Sequence, residues 1–177
     1  MEDRQRTKSR MIQFISGLIV GLLIAATVPL ILLFTGTLNM AASQKPGQLE
    51  TKFGTLAWKT SMLKRAPNIK NPYANDPQAI SRGLTLFKQN CVSCHGASGV
   101  PKSAIAKGLN PPAPGLDYDY VQDLSDGQLF WIVKNGIRMT GMPAFGPSHQ
   151  DQEIWQTVTF IRHLLDLSPE EKTALHQ

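Results

Sequence analysis

Cys91-Val92-Ser93-Cys94-His95 is the stretch that decides the fold of this chain, and its two cysteines are the only ones present. A C-x-x-C-H run is the attachment signature of a c-type haem. Each thiol can form a thioether to the porphyrin, and the histidine that follows can bind the iron as the proximal ligand. The sequence predicts one covalent haem c held by Cys91 and Cys94, with His95 on the iron.

Two other chemistries use closely spaced cysteines. A structural zinc site needs four ligands, and no second Cys/His pair lies at a suitable spacing. A thioredoxin-type redox pair shares the C-x-x-C spacing and remains the alternative. That alternative gives no role to His95.

A downstream segment, GIRMTGMPAFG, carries two methionines that compete for the distal position on the iron. A Met/His ligand pair raises the reduction potential of haem. We expect Met142 rather than Met139 to be the ligand, because Met142 lies between two residues that shape the loop. Gly141 gives the backbone freedom, and Pro143 fixes the conformation that follows.

The other histidines offer a different distal ligand. His149 is the closest of them to Met142 in sequence and is the main rival, and bis-histidine ligation would lower the potential. His163 and His176 are expected to be ordinary surface residues.

The sequence around the motif predicts helices and no strand. The expected helices are Pro77 to Asn90, Ser125 to Asn135, one from near Ser148, and a last short one from Ser168. The residues expected to face inward on the third of these are Ile154, Trp155, Val158, Ile161 and Leu165. Glu171 is placed to complete a capping box with Ser168. The fold class is therefore all-α.

The N-terminal part predicts a membrane anchor. Residues 1–10 form a basic tip, and residues 11–35 are uncharged and long enough to cross a bilayer. Positive charge stays on the cytoplasmic side, so the rest of the chain is expected on the exported side. A cleaved signal peptide is the alternative, but its apolar region is normally shorter and ends at a small-x-small site, which residues 38–42 supply poorly. Small residues at Gly17, Gly21 and Ala25 suit either a helix partner or a lone anchor.

Residues 36–74 connect this anchor to a domain at 75–177. The connecting region is strongly basic, whereas eight basic residues face ten acidic ones from Asn75 onward, so nucleic acid is not implied. Apolar residues from Phe53 to Leu63 alternate with basic ones. They predict a short amphipathic helix that lies on the membrane or a partner, or else packs on the domain.

Five short motifs follow one another along the domain: Gly83-x-x-x-Phe87, the C-x-x-C-H-Gly run, Pro114-Gly115-Leu116, Asn135-Gly136-Ile137 and Gly141-Met142-Pro143-Ala144-Phe145. In this order and spacing they resemble a class I cytochrome c, in particular the short membrane-anchored single-haem cytochromes of bacteria. They are also similar to the cytochrome domains of haem-copper oxidase and dehydrogenase complexes. The resemblance runs from about Asp76 to Leu165 and implies helices packed around the haem.

The resemblance also implies roles for residues beside the motif. The carbonyl of Pro114 is expected to accept a hydrogen bond from His95, although Pro111 and Pro112 are also near enough in sequence to supply it. Leu116 is expected to pack on the haem face. Gly83 is expected to lie under Phe160 where two helices cross.

The expected function is electron transfer and not enzymatic catalysis. A membrane-anchored monohaem cytochrome would carry single electrons between redox proteins on the periplasmic face of the inner membrane, with no small-molecule substrate at the iron. The alternatives are a haem subunit fixed in a larger membrane oxidoreductase, and a haem-based sensor or peroxidase. Two groups of charged residues could steer redox partners or make the domain dipolar. Basic residues near the ligand segments are Lys88, Lys134 and Arg138, and an acidic cluster elsewhere contains Asp117, Asp119, Asp123 and Asp126.

Overall fold

A computed structural model describes residues 2–176 of the chain. Within that range the regular structure is helical, apart from an isolated bridge between Ala97 and Val100. The helices are α1 Glu2–Phe34, α2 Gln48–Arg65, α3 Pro77–Asn90, α4 Val92–His95, α5 Ala104–Lys107, α6 Asp119–Gln122, α7 Asp126–Asn135, α8 Asp151–His163 and α9 Pro169–His176. The all-α prediction is confirmed. Two compact units are present, Met1–Gln44 and Lys45–Gln177.

The first unit consists of α1 and the residues that follow it. The stretch from Arg4 to Phe34 is long and apolar enough to cross a membrane by length and composition. Its large apolar side chains are exposed. Helical structure begins at Glu2 rather than at Met11, because Arg, Lys and Gln in the basic tip are good helix formers.

The second unit is built on the crossing of α3 and α8. At the crossing, a Cβ on Gly83 would overlap the carbonyl oxygen of Gln156 and lie 2.7 Å from Cβ of Phe160. Only glycine allows this approach, so the prediction that Gly83 lies under Phe160 is confirmed. The Phe160 ring also contacts that of Phe87, with the ring centroids 5.3 Å apart, and both side chains are fully buried.

The ends of the later helices agree only in part with the prediction. Ser125 caps α7 by accepting from the N–H of Gln128, as expected. Helix α8 begins at Asp151 rather than near Ser148, and it ends at His163. A 3-10 turn follows and rotates the chain, so Leu164 is buried and Leu165 is 60% exposed. The prediction of Leu165 as an inward residue was therefore wrong.

Helix α2 packs against α7 in this unit. Its Met62 is 3% exposed. Just beyond the end of α2, the carbonyl of Pro67 lies so close to Gly127 that a Cβ there would overlap it. The contacts of the domain thus extend back along the chain into the connecting region.

Two polar side chains that the sequence did not mark join distant segments of this unit. Asn71 is 6% exposed, and its amide donates to the carbonyl of Trp155 at 3.2 Å and to the hydroxyl of Thr159 at 2.8 Å. Arg162 donates to Asp126 at 2.9 Å and also to the carbonyl of Leu124. No local pattern marks either residue, because their partners are far away in sequence.

The long segment after the haem motif contains short helices. It contains α5 and α6, each a single turn. Gln122 at the end of α6 donates to the carbonyl of Leu116 at 2.7 Å and to that of Ile161 at 3.0 Å. This attaches the loop to α8 and fixes the segment that carries Pro114 and Leu116.

Candidate functional site

The C-x-x-C-H residues form one helical turn at the end of α3. Cys91 is the C-cap residue of α3, and its N–H donates to the carbonyl of Phe87 at 2.8 Å. Its own carbonyl accepts from the N–H of His95 at 2.9 Å. Gly96 then turns the chain at a positive φ of 68°. Two thiols and an imidazole are therefore presented from Cys91 and the single turn of α4 that follows it.

The imidazole of His95 is fixed by the loop opposite. Its Nδ1 lies 2.9 Å from the carbonyl oxygen of Pro114. A carbonyl can only accept, so Nδ1–H donates, and in the neutral ring Nε2 keeps its lone pair. Pro114, rather than Pro111 or Pro112, therefore makes this contact.

Burial keeps that imidazole neutral. It lowers the pKa of His95, and Lys102 acts in the same direction, while the hydrogen bond to Pro114 opposes them. A neutral imidazole with Nε2 free of a proton is the form that ligates a metal.

The environment of Cys91 argues against a redox pair. Its side chain is 7% exposed, and burial raises the pKa of Cys91 to about 12, with Cys94 acting in the same direction. Redox C-x-x-C pairs instead lower the pKa of the attacking cysteine, because the thiolate is the nucleophile. A buried thiol suits a permanent linkage better than exchange chemistry.

The two methionines lie in different environments. Met139 is 85% exposed at a positive φ of 61°, whereas Met142 is half-buried. The backbone of Met142 is held at both ends: its N–H donates to the hydroxyl of Thr140 at 3.1 Å, and its carbonyl accepts from Ile137 at 3.2 Å. The loop thus holds Met142 in place and leaves Met139 in solvent.

Gly141 allows this loop to approach Leu109 closely, because it has no side chain. Its φ is not positive, so the backbone freedom expected of it is not used. A Cβ at Gly141 would lie 2.5 Å from Cδ2 of Leu109. The contact brings the Met142 loop against the segment that leads to Pro114.

His149 is engaged elsewhere. Its Nδ1 lies 2.9 Å from the hydroxyl of Ser148 and its Nε2 lies 3.3 Å from the amide of Asn90. With both nitrogens occupied by side chains, His149 is a poor candidate for a distal ligand.

His163 is not the surface residue that was expected. It is half-buried, and its Nε2 lies 3.0 Å from both carboxylate oxygens of Glu171. His176 is exposed, as predicted.

Some of the charged residues near the site form ion pairs within the domain. Nζ of Lys134 lies 2.6 Å from Oδ1 of Asp151, whereas Lys88 and Arg138 are exposed. Asp126 pairs with Arg162 and also accepts from the N–H of Asn71 at 3.1 Å. The predicted acidic cluster therefore loses Asp126 to a structural role.

A sequence model of the family described as "Cytochrome C oxidase, cbb3-type, subunit III" matches residues 78–161. The match runs from α3 into α8 and contains the C-x-x-C-H turn, Pro114 and Met142. The match identifies this part of the chain as a c-type cytochrome domain. Such a domain implies a haem cofactor and a haem-based electron carrier.

The cytochrome is also 29% identical over 92 residues to the quinohemoprotein alcohol dehydrogenase of Comamonas testosteroni. That match covers 51% of this chain but 12% of the dehydrogenase. The likeness is thus confined to one small part of that protein.

The residues present fit the haem that the family implies. Two thiols separated by two residues, a neutral imidazole with a free Nε2 and a positioned thioether are the donors that a c-type haem requires. Leu116 is half-buried against the core of the same unit.

Proposed function

We propose that this cytochrome is a membrane-anchored, single-haem carrier of single electrons between redox proteins. Residues 1–10 are its cytoplasmic tip, 11–35 its membrane span, 36–74 its connecting region and 75–177 its cytochrome domain. It lies in the inner membrane with the haem domain in the periplasm. The basic residues that precede the apolar part of α1 support this orientation, since positive charge stays on the cytoplasmic side.

Within the domain, Cys91 and Cys94 form the thioethers, His95 is the proximal ligand and Met142 the distal one. The observation that carries this assignment is the hydrogen bond from His95 Nδ1–H to Pro114. It fixes the tautomer and the orientation of the ring, as second-shell partners of ligating histidines do. Leu116 contributes an apolar side chain to the haem pocket.

When bound, the haem supplies reversible one-electron chemistry at iron. The chain sets the conditions for it. His95, which is neutral and fixed, would be one ligand of the iron. The hydrogen bonds of Met142 to Thr140 and Ile137 fix the loop that would supply the second ligand, which would leave no position for a substrate.

The second proposal is that this cytochrome is a fixed haem subunit of a larger membrane oxidoreductase. The dehydrogenase relative favours it, because the matched region is a small part of a larger protein that is an alcohol dehydrogenase by name. Solubilisation in mild detergent separates the two proposals. A free carrier purifies alone, and a fixed subunit brings defined partners in constant ratio.

The ligand assignment is tested by visible spectra of the purified holoprotein, redox-titrated and repeated under carbon monoxide. The native protein should be low-spin and unresponsive to the gas. Met142→Ala should open the iron to carbon monoxide and lower the potential, because Met/His ligation raises it.

Met139→Ala is the matched control, since its side chain lies in solvent, and it should leave spectrum and potential unchanged. A Met142→Ala protein with the native spectrum would refute the distal assignment. A native protein that binds the gas would favour a sensor or a peroxidase.

A further inference from the structure

The outward side of α2 carries a row of apolar side chains. Leu49, Phe53, Leu56 and Leu63 are between 63% and 70% exposed. We call these four residues the outer stripe. Such a row of large exposed apolar residues on one helix indicates an interaction surface.

The four residues of the outer stripe follow one side of the helix. Its members are spaced by three, four and seven residues, which places them within roughly 80° of one another around an α-helix. The face that packs on the domain, with Met62 and the half-buried Trp58, lies on the opposite side. Helix α2 therefore has two apolar faces, of which one is covered by its own domain.

Basic residues border the outer stripe on both sides. At 3.6 residues per turn, Lys52 and Lys59 lie along one edge and Lys64 lies along the other, and all three are exposed. The single acidic residue of α2, Glu50, accepts from the N–H of Gly47 at the start of the helix. An apolar strip with lysines on both edges suits an anionic lipid surface, because lysines can extend toward headgroups while apolar groups enter the bilayer.

The chain also brings α2 close to a membrane. Residues 35–47 join α1 to α2 and span at most about 45 Å when fully extended. If α1 crosses the bilayer, as the proposed function has it, α2 is held within that distance of the lipid surface. A tether of this length gives α2 a high local concentration at the membrane.

From these observations we infer that α2 lies along the membrane surface, with the outer stripe in the interface and its lysines on anionic headgroups. Because the opposite face of α2 packs on α7, the helix would restrict how the cytochrome domain turns at the membrane. The inference rests on the proposed anchor, and it adds a second, surface contact to the tether.

Spin-label depth in the full-length holoprotein tests this. Phe53→Cys, Thr51→Cys and Leu22→Cys are each labelled with a nitroxide in vesicles of phosphatidylcholine and phosphatidylglycerol. Thr51 is the matched control, since it is exposed on the same helix but lies outside the outer stripe. The visible spectrum of each variant checks that the haem domain is intact.

The Phe53 label should collide several-fold more often with oxygen, and several-fold less often with a water-soluble nickel chelate, than the Thr51 label. The difference should shrink in vesicles of phosphatidylcholine alone, and also when Lys52 and Lys59 are changed to Gln. Equal nickel access at Phe53 and Thr51 would overturn the inference.

Shielding of the Phe53 label from both reagents would also overturn it, because a protein would then cover the stripe. The Leu22 label reports on the anchor separately. Nickel access there would contradict the membrane span, while the reading at Phe53 still decides whether α2 contacts lipid.

Discussion

At the scale of single residues, Glu171 joins α9 to α8 through His163. Its carboxylate lies 3.0 Å from His163 Nε2 and accepts from the N–H of Ser168 at 2.8 Å. Burial acts to raise the pKa of Glu171, but the hydrogen bonds from Ser168 and His163 outweigh it, and the pKa is lowered from its ordinary value of 4.5. The ionised form is therefore the one that stabilises the fold.

Acid should remove this contribution. A carboxyl whose folded pKa is depressed stabilises the protein above its unfolded pKa, and that stability is lost as the pH falls through the folded value. Glu171→Gln should lower the free energy of unfolding at neutral pH by about 1 kcal/mol or less, since solvent screens a partly exposed pair. The difference in unfolding free energy between this variant and the native protein should narrow as the pH falls below 4.5 and vanish below the folded pKa.

Urea unfolding at a series of pH values measures this gap. Glu170→Gln is the control, because the neighbouring carboxylate is exposed and its removal should leave stability nearly unchanged. A Glu171→Gln protein that stays less stable by the same amount in acid would contradict the explanation.

Residues whose partners are near in sequence could be predicted. The capping box of Ser168 and Glu171 is an example, and both of its hydrogen bonds are present. Asn71 was missed because its amide bonds residues 84 and 88 positions further along the chain. Such a contact depends on the packed fold, and a surface Asn has the same appearance in sequence. The iron ligands themselves stay predictions that the spectra decide.

At the scale of elements, the approach of α3 to α8 depends on the absence of a side chain at Gly83. Gly83→Ala should destabilise the protein by about 1–3 kcal/mol, because the methyl group meets backbone and the Cβ of Phe160, neither of which can move freely. The gain in helix propensity, roughly 1 kcal/mol at most, does not compensate.

Gly54→Ala is the matched control for this prediction. Gly54 is also inside a helix, but no atom lies within 4 Å of a Cβ placed there. That variant should be unchanged or more stable by up to about 1 kcal/mol. Urea midpoints of the two variants give the comparison, and equal effects would show that the crossing tolerates a methyl group.

Element ends show where sequence patterns fail. Helix α7 could be predicted at both ends, since Ser125 and Gly136 are strong local signals. The end of α8 could not, because nothing in the sequence marks the change to a 3-10 turn after His163. Leu164 and Leu165 are equally apolar, so only the turn decides which of them is buried.

At the scale of the whole molecule, the unit that contains the haem motif begins at Lys45. Met62 and Asn71 both lie before residue 75, and both are buried. A fragment of residues 45–177 should therefore fold and keep the spectrum and potential of the full chain. A fragment of residues 75–177 loses both side chains and should be less stable by at least about 2 kcal/mol.

Chemical unfolding of the two holo-fragments checks this expectation. A fragment of residues 75–177 as stable as the longer one would place the domain boundary where the sequence alone predicts it. The restoration of stability on extending the fragment back to Lys45 would place α2 and Asn71 within the folding unit.

The burial of Cys91 also has a consequence for biosynthesis. Its sulfur belongs to the same apolar cluster as Phe87 and Val158, where α3 meets α8. If the proposed thioether forms at this sulfur, the ligating machinery must reach it before the helices close over it. Ligation would then have to precede the folding of this part of the domain. A chain that folds early hides its own attachment point.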